Sequence, residues 1–260
     1  MTYNKLRGIA AGVLMAAAAT VALTSCSGTA LGELGENQQI LTTCPPDTKL
    51  ASLVFVDGTT SGLTDASVQE DLAVIELVAR RTAVCGGRLT VAAFSASSGS
   101  TVPIFDQAIT LPGATDNARL RRVPDAVTEI MEHITASHGD AIAAVPGGGT
   151  DVVGLYRLAG EHQKQLGDGY QLNLIIRTDG LNNLGVNTER ALSEDEAIAL
   201  ADQVVVPTLP GASIHVSGLG RVAGTPLPST VIDGLVTFYD RLCENTSAAS
   251  CTIVTDYAGR

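Results

Sequence analysis

Tryptophan is absent from this 260-residue chain, and only three lysines stand beside thirteen arginines. The formal net charge is −11. A nucleic-acid binder normally shows a basic patch, so nucleic acid is not an expected partner. Several catalytic signatures are missing as well. No Gly-x-Ser-x-Gly elbow of a serine hydrolase occurs, and the four histidines, His133, His138, His162 and His215, form no His-Glu-x-x-His arrangement. His215 falls inside an apolar run and is expected to pack in the core. No Lys-Ser or Lys-Thr follows the glycines 147–149, so they are not a P-loop, although amides at a helix start attract anions. Gly218-x-Gly220 continues to Gly224, one residue too far for a dinucleotide fingerprint. No cysteine pair has the Cys-x-x-Cys spacing of zinc.

What is present starts with an export signal. Lys5 and Arg7 precede an uncharged, alanine-rich run from Gly8 to Leu23 that is short for a membrane span. Small residues then lead to Cys26. Residues 1–25 have the layout of a secretory signal peptide, and the ending resembles a bacterial lipoprotein signal. That resemblance implies diacylglyceryl attachment at Cys26, membrane anchoring through this lipid, and an extracytoplasmic place in the cell envelope. Two acyl chains anchor stably where one is marginal. An ordinary cleaved signal or an N-terminal membrane helix is the alternative. Loss of Lys5 and Arg7 takes the formal charge from −11 to −13.

With Cys26 assigned to lipid, four cysteines remain, an even number that suits disulfides in an exported chain. Cys44 and Cys85 precede the first two strands at the same end, and Cys243 and Cys251 bracket one short loop. The expected pairs are Cys44–Cys85 and Cys243–Cys251. Residues 26–47 are rich in Gly, Ser, Thr, Gln and Asn with little apolar periodicity, and are expected to form a flexible tether. Residues 48–260 form one domain.

Within it, apolar runs alternate with helical patterns. Strands are expected at Leu53 to Val56, Leu89 to Phe94, Thr101 to Ile109, Leu172 to Arg177, Ile214 to Val216 and Thr252 to Val254. Helical spacing joins Val68, Leu72, Ile75 and Ala79; Val127, Ile130, Met131 and Ile134; Val152, Leu155, Ala159 and Leu166; and Val231, Leu235, Phe238 and Leu242. Ser193 with Glu196 marks one further short helix. The short turn at residues 95–100 makes the third strand antiparallel to the second, and Pro103 suits an edge. The fold class is α/β: an open, doubly wound, mostly parallel six-stranded sheet with helices on both faces and one antiparallel edge strand.

Ligands in such sheets bind beyond the carboxyl ends of the strands. Asp57 ends the first strand and is followed by Thr59 and Ser61. Asp179 ends the fourth, and Thr150 follows the glycine-rich loop. Alternate oxygen side chains on a strand end suit a hard cation. Asp57-x-Thr59-x-Ser61, then Thr150, then Thr178-Asp179-Gly180 resemble the metal-ion-dependent adhesion site of the von Willebrand factor A (VWA) domain, over roughly residues 50–257. Thr59 stands where that family usually has serine. The resemblance implies Mg2+ (or Mn2+) held by Thr59, Ser61 and Thr150 directly, with Asp57 and Asp179 acting directly or through water. The cation would take its last ligand from a carboxylate of a protein or other partner. Adhesion follows from this; catalysis does not.

Two rival readings stand beside it. One is an envelope lipoprotein whose metal only stiffens the domain. The other is a degenerate phosphatase of the haloacid dehalogenase type, since Phe55-x-Asp57-Gly58-Thr59 resembles its Asp-x-Asp-Gly-Thr motif. Phe55 stands at the nucleophile's position and cannot attack phosphorus.

Overall fold

A computed structural model describes residues 32–256. Cys26 and the export signal lie outside the described residues.

Six strands form one sheet: β1 (Lys49–Asp57), β2 (Gly87–Phe94), β3 (Val102–Ile109), β4 (Tyr170–Arg177), β5 (Ser213–Ser217) and β6 (Ser250–Val254). Their order is β3-β2-β1-β4-β5-β6. Every pairing is parallel except β2 with β3. Pro103 lies on the antiparallel edge strand β3, next to a register shift at Val91/Ala92. Edge placement fits its missing N–H.

β1 is apolar almost throughout because both its faces are covered. Val54 and Val56 are fully buried with one cluster, while Ala51, Leu53 and Phe55 belong to the other. Burying a side chain of this kind contributes about 1.5–3 kcal/mol. The first face is covered by α2 (Asp65–Cys85) and α4 (Val123–Ala144), the second by α5 (Val152–Leu166), α6 (Glu194–Asp202) and α7 (Ser229–Asn245). α2 starts at Thr64, whose hydroxyl accepts from Ser67 N–H, and α6 starts in the Ser193/Glu196 capping box. Both cap types satisfy donors that the first helical turn leaves free.

Both expected disulfides are present, Cys44–Cys85 and Cys243–Cys251. Among the described residues no helix is long and apolar enough to cross a membrane.

Two elements depart from the sequence reading. Within the expected tether of residues 26–47, Glu33–Leu41 forms a helix, α1. It packs on α2: Arg80 bonds Asn37 Oδ1 at 2.8 Å and pairs with Glu36. The helix buries Asn37, whose amide donates to Leu120 O. A helix whose buried residue is polar leaves little apolar periodicity to read. The second is α3 (Asp116–Leu120), a five-residue helix capped by Thr115.

Candidate functional site

The order of the strands reverses between β1 and β4, which is the switch point where open α/β sheets place ligands. Val56 pairs with Arg177 across it, so the chain beyond each strand emerges side by side. The first loop starts at Asp57, and Gly58 N–H still donates to Phe94 O at 2.9 Å. Gly58 itself is needed there, because a Cβ would lie 2.6 Å from Val145 Cγ2.

Asp57 is buried and fully engaged. Oδ1 accepts from Thr59 N–H at 2.9 Å and Oδ2 from the Thr178 hydroxyl at 2.6 Å. Its pKa is nevertheless raised, by burial above all, with the hydrogen bonds pulling the other way. Thr59 Oγ1 and Ser61 Oγ lie 3.1 Å apart. Ser61 O accepts from Ala223 N–H at 2.6 Å, which ties this loop to the one after β5.

Asp179 sits in the turn after β4, 3% exposed. Its Oδ1 accepts from Leu181 N–H at 2.9 Å, and its Oδ2 is buried without a hydrogen-bond partner. Burial first, then the charge of Asp57, raise its pKa to about 6; the nearby Ser61 hydroxyl opposes the rise without completing a bond. Gly180 follows at φ +82°, a conformation that glycine adopts freely.

Thr150 follows the glycine-rich loop and lines a cavity with Thr59 and Ser61. Its N–H donates to Asn183 Oδ1 at 3.0 Å and its carbonyl accepts from Asn183 N–H at 3.2 Å. Gly148 and Gly149, at φ +104° and +156°, let the loop make this approach. Asp151 then caps α5, accepting from Gly154 N–H, while its own N–H bonds Ser95 O beyond β2. Thr59, Ser61 and Thr150 line one cavity; Asp57 and Asp179 line a second, a cleft of about 30 Å³. That is room for one water or ion. Asp57, Thr59 and Ser61 follow from the end of β1 and Asp179 from the end of β4, and Thr150 shares a cavity with Thr59 and Ser61. Among the described residues no three His, Cys, Asp or Glu side chains gather to hold a metal. The donor set is two carboxylates with three hydroxyls, all oxygen, as magnesium prefers. The orphaned Asp179 Oδ2 fits a cation.

Sequence reasoning missed the residues that hold this set in place. Asn182, fully buried, accepts from Val152 N–H at 2.8 Å and donates to Leu184 O and Val186 O. The Thr188 hydroxyl donates to Gly180 O, and so does Tyr239 OH. Beneath the carboxylates, Arg177 Nε donates to Asp71 Oδ1 at 2.7 Å and Nη1 to Ser217 Oγ. Burial still raises the Asp71 pKa, against the pull of Arg177. The signal for Asn182 and Asn183 was only the polar run after Asp179-Gly180.

Fold and site together define an α/β domain with an oxygen-lined strand-end site. No protein-family model matches the chain, and no curated protein matches it. Solved structures with similarity include proximal thread matrix protein 1 from the mussel byssus, 16% identical, over 79% of this chain and 44% of that one, TM-score 0.37. The manganese-loaded Plasmodium vivax TRAP protein is 14% identical, over 73% of this chain and 63% of that one, TM-score 0.35. The pilus adhesin SpaC from Lactobacillus rhamnosus GG, in its open conformation, is 12% identical, over 74% of this chain and 27% of that one, TM-score 0.36. This chain spans less than two thirds of the length of each. At these scores, function has to be argued from this chain's own residues.

Proposed function

We propose that the chain is an extracytoplasmic, lipid-anchored binding protein of the VWA type. Asp57, Thr59, Ser61, Thr150 and Asp179 would hold Mg2+ or Mn2+, and the cation would supply an electron-poor position for a partner's carboxylate. One observation carries this reading: Asp179 Oδ2 is buried, unpaired and beside a second buried carboxylate. Leaving a charged acceptor unmet is costly, and a cation relieves both the desolvation and the mutual repulsion. The two disulfides agree with an oxidising compartment. Attachment through Cys26 rests on the sequence alone.

Binding is preferred to a dehalogenase-type phosphatase activity because of Phe55. It is 3% exposed and packs edge-to-face on Phe94 at 6.4 Å, within the core. The position that a dehalogenase-type phosphatase gives to its nucleophile is here a core position.

The test is isolation of envelope partners by the full chain in magnesium and in EDTA, beside Asp57→Ala and Asp179→Ala. A partner retained only by the wild type in magnesium supports the proposal. Equal retention in all four samples sinks it, and metal-dependent hydrolysis of an aryl phosphate that is lost in Asp57→Ala would favour the enzyme reading.

A further inference from the structure

The end of the sheet opposite the carboxylates holds a separate cavity. It is half-open, measures about 340 Å³ and is lined by residues at the starts of β1, β4 and β5, at the small end of the range for ligand sites. Parallel strands covered on both faces are normally apolar throughout. Here Leu172, Leu174 and Ile214 join the core on one face, while the alternate residues Asn173 and Ser213 are polar. They are register partners on neighbouring strands, so about 5 Å separates them. Asn173 is 9% exposed. Its side-chain amide bonds no described residue, and neither of its polar atoms is sealed from solvent. The Ser213 hydroxyl is likewise without a partner among the described residues. Buried polar groups are seldom left so, and both residues line the cavity.

A cation completes the lining. Arg81 of α2 gives one bond from each Nη to Thr43, at 2.8 Å to Oγ1 and 3.1 Å to the carbonyl O. Nε–H and one N–H on each Nη are left over. Arg80, Arg88, Arg157, Arg177, Arg221 and Arg241 all pair with carboxylates. Arg81 pairs with none among the described residues, and no Asp or Glu lines the cavity. The Cys44–Cys85 link ties the residue after Thr43 to the end of α2, so the guanidinium is held before any ligand arrives. These groups narrow the ligand. A guanidinium answers a carboxylate with paired N–H groups. Asn173 and Ser213 each donate and accept, and hydroxyls answer both. Pro45 and Leu50 add apolar surface, which suits the C–H face of a sugar ring. A simple anion would meet Arg81 and leave Asn173 and Ser213 unmet, and a neutral sugar would do the reverse.

We propose that this cavity is a ligand site for a sugar acid. The carboxylate meets Arg81, two hydroxyls meet Asn173 and Ser213, and the ring lies against Pro45 and Leu50. The site shares no lining residue with the strand-end cavities and does not depend on a cation at Asp57 and Asp179.

The full chain is titrated with D-glucuronate, following the Arg81 Nε–H and the Asn173 side-chain amide by NMR, with calorimetry for the affinity. Saturable binding that shifts both signals is expected. Arg81→Gln should weaken it at least about tenfold, the worth of one charge-assisted hydrogen bond, and Asn173→Ala about fivefold, the worth of a neutral one. Shifts that never saturate, or unchanged affinity in either variant, overturn the proposal. Should Arg81→Gln fail to fold, the wild-type titration and Asn173→Ala still decide. Equally tight binding of D-glucose or of inorganic phosphate overturns the sugar-acid assignment. Tighter binding of acetyl-alanyl-alanine overturns it in favour of a partner's chain terminus. Binding lost in EDTA, or in Asp179→Ala, overturns the independence of the two sites.

Discussion

Removing the charge of Asp179 should stabilise the cation-free protein. A carboxyl whose pKa is raised from 3.8 to about 6 binds its proton more tightly folded than unfolded. The stability it contributes is complete below pH 3.8 and is lost as pH rises through about 6. At pH 7 the cost of holding it ionised is about 3 kcal/mol. Asp179→Asn removes that cost and keeps the Oδ1 acceptor for Leu181 N–H. The new amide leaves a neutral polar group at the Oδ2 position, which costs about 1 kcal/mol. The net expectation is a gain of about 2 kcal/mol at pH 7. Urea unfolding in EDTA, repeated at intervals from about pH 4 to pH 8, measures it. The wild type should lose stability between about pH 4 and 6, and the variant should show a flatter profile. Magnesium should restore the wild type and leave the variant unmoved. Equal stability and equal pH slope in EDTA would refute the view that Asp179 is an unrelieved buried charge.

Three further outcomes are expected. Cys44→Ser with Cys85→Ser opens a link between positions 41 apart and should cost about 4 kcal/mol by loop entropy, read as a lower urea midpoint. Gly180→Ala forces a side chain onto φ +82° with its Cβ 2.6 Å from buried Leu219; a loss of about 2–3 kcal/mol is expected, and thermal unfolding checks it. Asn182→Ala strands Val152 N–H, Leu184 O and Val186 O together and should cost about 3 kcal/mol, with faster hydrogen exchange at the start of α5.

The sheet was legible because β1, β2 and β4 are apolar runs that stop sharply, and because the helices between them carry one apolar stripe each. The cysteine pairs were legible from their places at strand starts and around one loop. The five oxygen side chains were named through the VWA resemblance; Asp57 and Asp179 line one cleft, and Thr59, Ser61 and Thr150 line another cavity. Their support could not be named. Asn182, Asn183 and Thr188 act on backbone atoms that are close in space, and Asn182 reaches residues 30 positions away. Polar residues in a loop look alike until the partner is known. α1 was hidden for a related reason: its anchor is Asn37, met by Arg80 and Leu120 from other helices.

The outer limits of the sheet differ in how they resist another strand. β3 carries Pro103 and Asp106, the latter bound by Arg88 and Thr90, and such residues blunt templated pairing. β6 has five residues and no proline or charge. A ladder that short frays readily. The bond from Cys251 to Cys243 fastens it to the buried face of α7. The outer edge of β5 is thereby kept paired by a strand held with a covalent staple. Reducing agents should loosen β6 and bare the β5 edge as a seed for self-association, seen as a rise in light scattering.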